Sequence, residues 1–361
     1  MIEFIPLNSY AFVVNTIIMA AVVLLALFVL QAPRLVVEHA GIRNHFTRAV
    51  GNLLVIVLCI LIGLRPISYA FGDMGTYYAH FVAYANGASL AGKDMVFELL
   101  MWLFSQVDTP GLFFLFCALV YLLPLRSAST RVLGNYWPLG FVFLVSHISF
   151  YGFAVNGIRN GMAMSVFTLA ITMRGWRAWL LMAVAVGLHG SLMLPVAAYA
   201  AANFGFRPKW AIAFWVACLL VSLAAPGIAA FLASLLPHDD RLEEYIAIGG
   251  EYDYQFSSTG FRWDFLLYGT LPILVGWYFI FKKNRFDEFY LRLFSTYVIT
   301  NSVWLLLIML PFSNRFAYLS WGVMGMVYAY PFIKWKLINQ QQVVFVVLLL
   351  GVSGFSYVSQ L

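Results

Sequence analysis

The chain has 361 residues, of which 63% are hydrophobic, 18% aromatic and only 10% charged, against roughly 25% charged residues in an ordinary soluble domain. So few charges cannot cover a water-exposed surface, which excludes a soluble globular enzyme. The apolar residues run contiguously rather than alternating with polar ones, which excludes a β-barrel.

The pattern predicts an all-α fold: a polytopic transmembrane helical bundle of about 12 membrane segments in a single integral membrane domain over 1–361. In chain order the segments are 9–31, 49–64, 110–125, 136–151, 158–173, 178–189, 191–204, 210–225, 264–281, 290–310, 316–333 and 343–358. Segment 95–107 is too short to span and reads as an interfacial or re-entrant helix. The first run lacks a basic leader and is too long for a signal-peptide core, so no cleavable signal is expected. Stretch 178–204 admits two readings, one straight helix or a hairpin that breaks at His189-Gly190-Ser191. The long extramembrane stretches are 65–109 and 226–263, both expected to be periplasmic loops.

The net charge of +6 comes from 21 Lys and Arg set in small groups between apolar runs. That is a topology signal rather than a nucleic-acid surface. With both termini outside, fifteen of these cations face the cytoplasm and six face outward: Arg65, Lys93, Arg159, Arg241, Arg262 and Arg315. The outward ones run against the positive-inside bias, and five are Arg, whose planar fork binds two phosphate oxygens at once. Arg159 and Arg315 each open an apolar segment, where a helix N-terminus adds its own anion-binding amides. The alternative for both is contact with lipid headgroups or a structural ion pair.

His189 interrupts an apolar run and is costly there unless it meets a cavity or a partner. It is either a base for a hydroxyl or a histidine hydrogen-bonded to a neighbouring helix. His147 is a weaker candidate. Asp73, between Gly72 and Gly75, and Glu98 are placed to orient sugar hydroxyls, to pair with an outward Arg, or to serve as ordinary loop and helix-start acids. Tyr77 and Tyr245 lie in outward stretches where rings either stack on sugars or pack. Cys59, Cys117 and Cys218 sit inside apolar runs without metal-ligand spacing, and the acidic pairs at 239–240 and 251–253 lack a supporting ligand cluster. No metal and no cofactor are expected.

These residues together resemble a family. The order is Gly72-Asp73 with Tyr77, then Phe97-Glu98, Ile158-Arg159-Asn160 with Ala163, His189 with Ser191, and Arg315-Phe316 with Tyr318. The sequence is similar in these features, over about 50–335, to the EpsG family, a branch of the Wzy-type polysaccharide (O-antigen or capsule) polymerases. It departs from the family at Asn160, where Gln is frequent, and 226–263 offers only Arg241 with Tyr245. The resemblance implies a glycosyltransferase C-like enzyme of the bacterial inner membrane, working without metal at the periplasmic face. It would join undecaprenyl-diphosphate-linked oligosaccharide units, with membrane lipids and a chain-length regulator as further partners and no nucleic acid. His189 is then the expected base. Arg159, Arg315, Arg65, Arg241 and Arg262 would bind diphosphate, and Asp73, Tyr77, Glu98 and Tyr245 would bind sugar. A ligase-like glycan transferase and a lipid-linked glycan flippase share the outward-arginine logic and stay open as alternatives.

Overall fold

A computed structural model describes residues 2, 4–31, 44–225, 227–228, 260–310, 313–336 and 338–360. Those residues are mostly helical, joined by turns and irregular connections, with no strand among them. Six of the described helices are long and apolar enough to cross a membrane: Leu7–Gln31, His45–Gly63, Pro110–Val145, Trp263–Lys282, Asn314–Lys334 and Gln341–Val358. Their outer faces carry large apolar side chains at helical spacing, such as Leu53, Ile56 and Ile60, which are exposed on the protein. Such a surface is stable against lipid and not against water.

The chain divides into two compact units, Met1–Met193 with Tyr328–Leu361, and Leu194–Val327. In the first, α1 (Tyr10–Gln31) packs against α2 (Asn44–Gly63) and against the last helix, α15 (Gln341–Val358). Helix α8 (Ile158–Ala170) lies between α5 (Pro110–Leu133) and α9 (Trp176–Leu188). Two short helices, α3 (Met74–Ala85) and α4 (Met95–Ser105), fold against each other, and α4 also meets α9. In the second unit, α11 (Pro208–Ala224) and α12 (Trp263–Trp277) pack on α13 (Glu288–Leu306). Helix α10 (Met193–Asn203) and helix α14 (Asn314–Lys334) have most of their residues in this unit.

Each of the twelve apolar segments falls on helix, and so does 95–107. Their ends differ from the hydropathy boundaries. Helix α5, which carries Pro124 inside it, runs on past residue 125 to Leu133. Segment 136–151 is not one helix: α6 (Trp137–Val145) stops at Ser146, and α7 (Phe150–Val155) begins beyond a turn. In that turn His147 and Ser149 hydrogen-bond to each other at 2.8 Å. Within 65–109, hydropathy misses α3, whose Tyr77, Phe81 and Tyr84 nevertheless form one buried face. Stretch 178–204 is interrupted at His189, whose backbone is extended (φ −158°, ψ 119°), followed by a 3₁₀ turn over Gly190–Leu192.

Candidate functional site

Three elements of the first unit, α8, the end of α9 and the 3₁₀ turn after it, converge on the carboxylate of Asp94, the residue that precedes α4. An aspartate at that position ordinarily caps its own helix, but the Asp94 side chain does not. Its Oδ1 accepts the Gly190 amide at 2.9 Å, satisfying the first N–H of the 3₁₀ turn after α9. Its Oδ2 lies 3.0 Å from His189 Nδ1 and accepts from Arg159 Nη1 at 2.8 Å. The carboxylate is buried, while the Arg159 and His189 side chains keep 18% and 29% of their surface open. The cluster therefore has an enclosed acid at its base and a cation and an imidazole at its opening. Burial of the Asp94 carboxyl raises its pKa; the hydrogen bond and charge of His189, the Gly190 amide and the Arg159 charge outweigh that, and the acid ends below its ordinary value of 3.8.

Arg159 is held from two further sides. Its Nε donates to the Tyr77 hydroxyl at 3.2 Å, and its guanidinium lies 5.4 Å from the Tyr77 ring centre and 5.8 Å from that of Phe97. Those two rings pack edge to face at 5.2 Å, which fixes the platform beneath the cation. The segment leading into α8 is tied to the Gly72-Asp73 turn: Asn156 Oδ1 accepts from the Asp73 amide at 2.8 Å. Gly72 has φ +62°, and a Cβ there would fall 2.3 Å from the same Asn156 oxygen, so the turn requires glycine both for its backbone and for this approach. Motifs far apart in sequence are thus bonded directly to one another.

Of the expected site residues, the structure brings Arg159, His189 and Tyr77 into this cluster, while Asp73 is bonded through its backbone amide to Asn156, three residues before Arg159. Glu98 sits in the first turn of α4 but is buried, its Oε2 accepting from the Tyr84 hydroxyl at 2.7 Å. Tyr77 is likewise buried and presents its hydroxyl to Arg159 rather than an open ring face. Arg65 is not brought here: it is 2% exposed, donates to the carbonyls of Ile62 and Val155, and lies against the Phe71 and Phe114 rings. Asn160 Oδ1 and Ser191 Oγ, both from the family motifs, are buried without a hydrogen-bond partner. No group of three or more His, Cys, Asp or Glu with metal-binding geometry occurs among the described residues.

The second unit carries Arg262 and Arg315. Arg262 is held by Asp264 through two hydrogen bonds of 2.9 and 2.6 Å and lies 3.6 Å from the Phe265 ring centre. Arg315 is the second residue of α14 and is exposed. Both guanidinium charges act on the Tyr318 hydroxyl, which accepts from Asn314 Nδ2 at 3.0 Å. Arg241 and Tyr245 lie outside the described residues.

Asp94 has no counterpart in the sequence reading. The available signal was an aspartate directly before an apolar helix, which reads as an ordinary cap and conceals that its carboxylate is used elsewhere. Neither a curated protein nor a solved structure matches the chain. The EpsG family model matches residues 48–361, a span that contains the whole Asp94 cluster. The chain belongs to the EpsG family, the family of Wzy-type polysaccharide polymerases.

Proposed function

We propose that the protein polymerises oligosaccharide repeat units carried on undecaprenyl diphosphate, at the periplasmic face of the bacterial inner membrane, in a glycosyltransferase C-like framework. The supporting observation is that Arg159 and His189 meet on one buried carboxylate while both stay partly open. A lipid-diphosphate donor needs a fixed cation for its leaving group, and an acceptor hydroxyl needs a base beside it. The acceptor oxygen attacks the anomeric carbon, its proton passes to His189, the bond from that carbon to the diphosphate oxygen breaks, and the electron pair leaves with the diphosphate. Arg159 binds the developing charge, and no metal is required for that step. Arg315 and Arg262 are proposed to bind anionic substrate on the second unit.

The test is incubation of the purified protein in lipid with a lipid-linked repeat unit. A ladder of products is the expected result. A single transfer to a lipid A-type acceptor makes it a ligase. Movement of the substrate across the bilayer without a new glycosidic bond makes it a flippase.

A further inference from the structure

His189 has two ring nitrogens, and only one of them touches Asp94. The contact is Nδ1 to Oδ2 at 3.0 Å, and the ring lies at the break between α9 and the 3₁₀ turn. There its amide still donates to the Ala185 carbonyl at 3.0 Å while its backbone is already extended, so the ring leaves the chain where the helix ends. The same carboxylate holds the turn through Gly190 and the cation through Arg159. All three partners come from elements other than α4, which Asp94 precedes. Capping of α4 has been given up for these contacts, although a cap typically contributes about 1 kcal/mol.

We propose that Asp94 is a positioning residue, which fixes His189 in the tautomer with the proton on Nδ1 and the lone pair on Nε2, and sets Arg159 at a fixed separation from that ring. This deepens the polymerase reading and rests on it for the role of the Nε2 lone pair. A carboxylate accepts and does not donate, so a neutral ring bonded through Nδ1 must carry its proton there. A free imidazole side chain prefers the proton on Nε2, which would leave no acceptor for a sugar hydroxyl on the open side. Asp94 is therefore the residue that makes His189 competent as a base without touching substrate itself.

The experiment uses the full chain in lipid nanodiscs, labelled with ¹⁵N-histidine, with the His189 signals identified by their loss in His189→Gln. The ring is followed to the pH at which it is neutral. The expected result is a protonated Nδ1 and a lone pair on Nε2 in the wild type, with a shift toward the Nε2-protonated form in Asp94→Ala. Asp94→Asn, which keeps the shape and drops the charge, is expected to give a mixture and to lower kcat by about 10²-fold or more. An Nε2-protonated ring in the wild type overturns the proposal, and this reading does not depend on any variant folding. A ring that keeps its proton on Nδ1 in Asp94→Ala, or an Asp94→Asn protein with unchanged kcat, overturns it as well. The tautomer is measured without substrate, so a protein that shows the expected ring but makes no polymer refutes the polymerase reading alone.

Discussion

At the scale of single residues, Arg159 is held by a carboxylate, a hydroxyl and two ring faces, all of which suit a planar guanidinium. A lysine supplies the charge but not the fork. Arg159→Ala is expected to cut polymer formation by about 10²–10³-fold, with Arg159→Lys recovering little of it; full activity in the Lys variant, read from the product ladder, would show that only charge is needed. His189→Ala is expected to cost at least ~10²-fold while lipid-linked substrate still binds, and normal polymer from that variant removes the base assignment. Asp94 also links the cluster to pH. Its folded pKa lies below the unfolded value near 3.8, so its contribution to stability is complete above that value and is lost as the pH falls through the lower folded pKa. The unfolding midpoint of the wild type should therefore exceed that of Asp94→Asn most clearly above pH 4, with the gap narrowing in more acid buffer. A gap that does not change with pH would mean that the Asp94 charge is not what stabilises the site.

At the scale of elements, the site depends on how closely α4 and α9 approach, since one leads from Asp94 and the other ends at His189. Gly187 permits that approach: a Cβ there would lie 2.5 Å from Val96 Cγ2 and 3.4 Å from Val96 Cβ. Valine is branched at Cβ and cannot swing aside cheaply, so a larger residue at 187 must push the helices apart. Gly187→Leu is expected to lower activity at least tenfold, because small misplacements of reacting groups cost rate steeply. Gly187→Ala should cost less and be partly restored by Val96→Ala. Product assays on the single and double variants decide this; if Val96→Ala brings no recovery, the helix approach is not the cause.

At the scale of the whole molecule, the question is which side of the membrane each connection faces. Asn86, at the end of α3, and Asn284, between α12 and α13, are both exposed, so cysteines there are reachable from whichever side holds them. From the cation distribution we expect Asn86 outside and Asn284 in the cytoplasm. An impermeant maleimide is expected to label cysteine at 86 in intact cells and to spare it at 284. Labelling at 284 would reverse the orientation and put the Asp94 cluster on the wrong face for a periplasmic substrate.

Composition and apolar run length by themselves determined the all-helical class and the positions of the apolar helices, because each is a local property; they left 178–204 open between one helix and a hairpin, and the structure decided for the break at His189. A run of apolar residues becomes a helix wherever water is excluded, whereas His189-Gly190-Ser191 permits a break without requiring one. Residue type and position also singled out Arg159 and His189, among other candidates, as polar groups in need of a partner. Only the tertiary structure decided what these residues touch. It turned Tyr77 and Glu98 inward, because the face of α3 that hydropathy missed packs against α4. It put Arg65 among carbonyls and rings, where residue type alone had made it an outward cation like the others. It also made Asp94 the centre of the site. A carboxylate's partners across 65 and 95 positions of chain are set by which helices pack together, and nothing in the neighbourhood of Lys93-Asp94-Met95 records that packing.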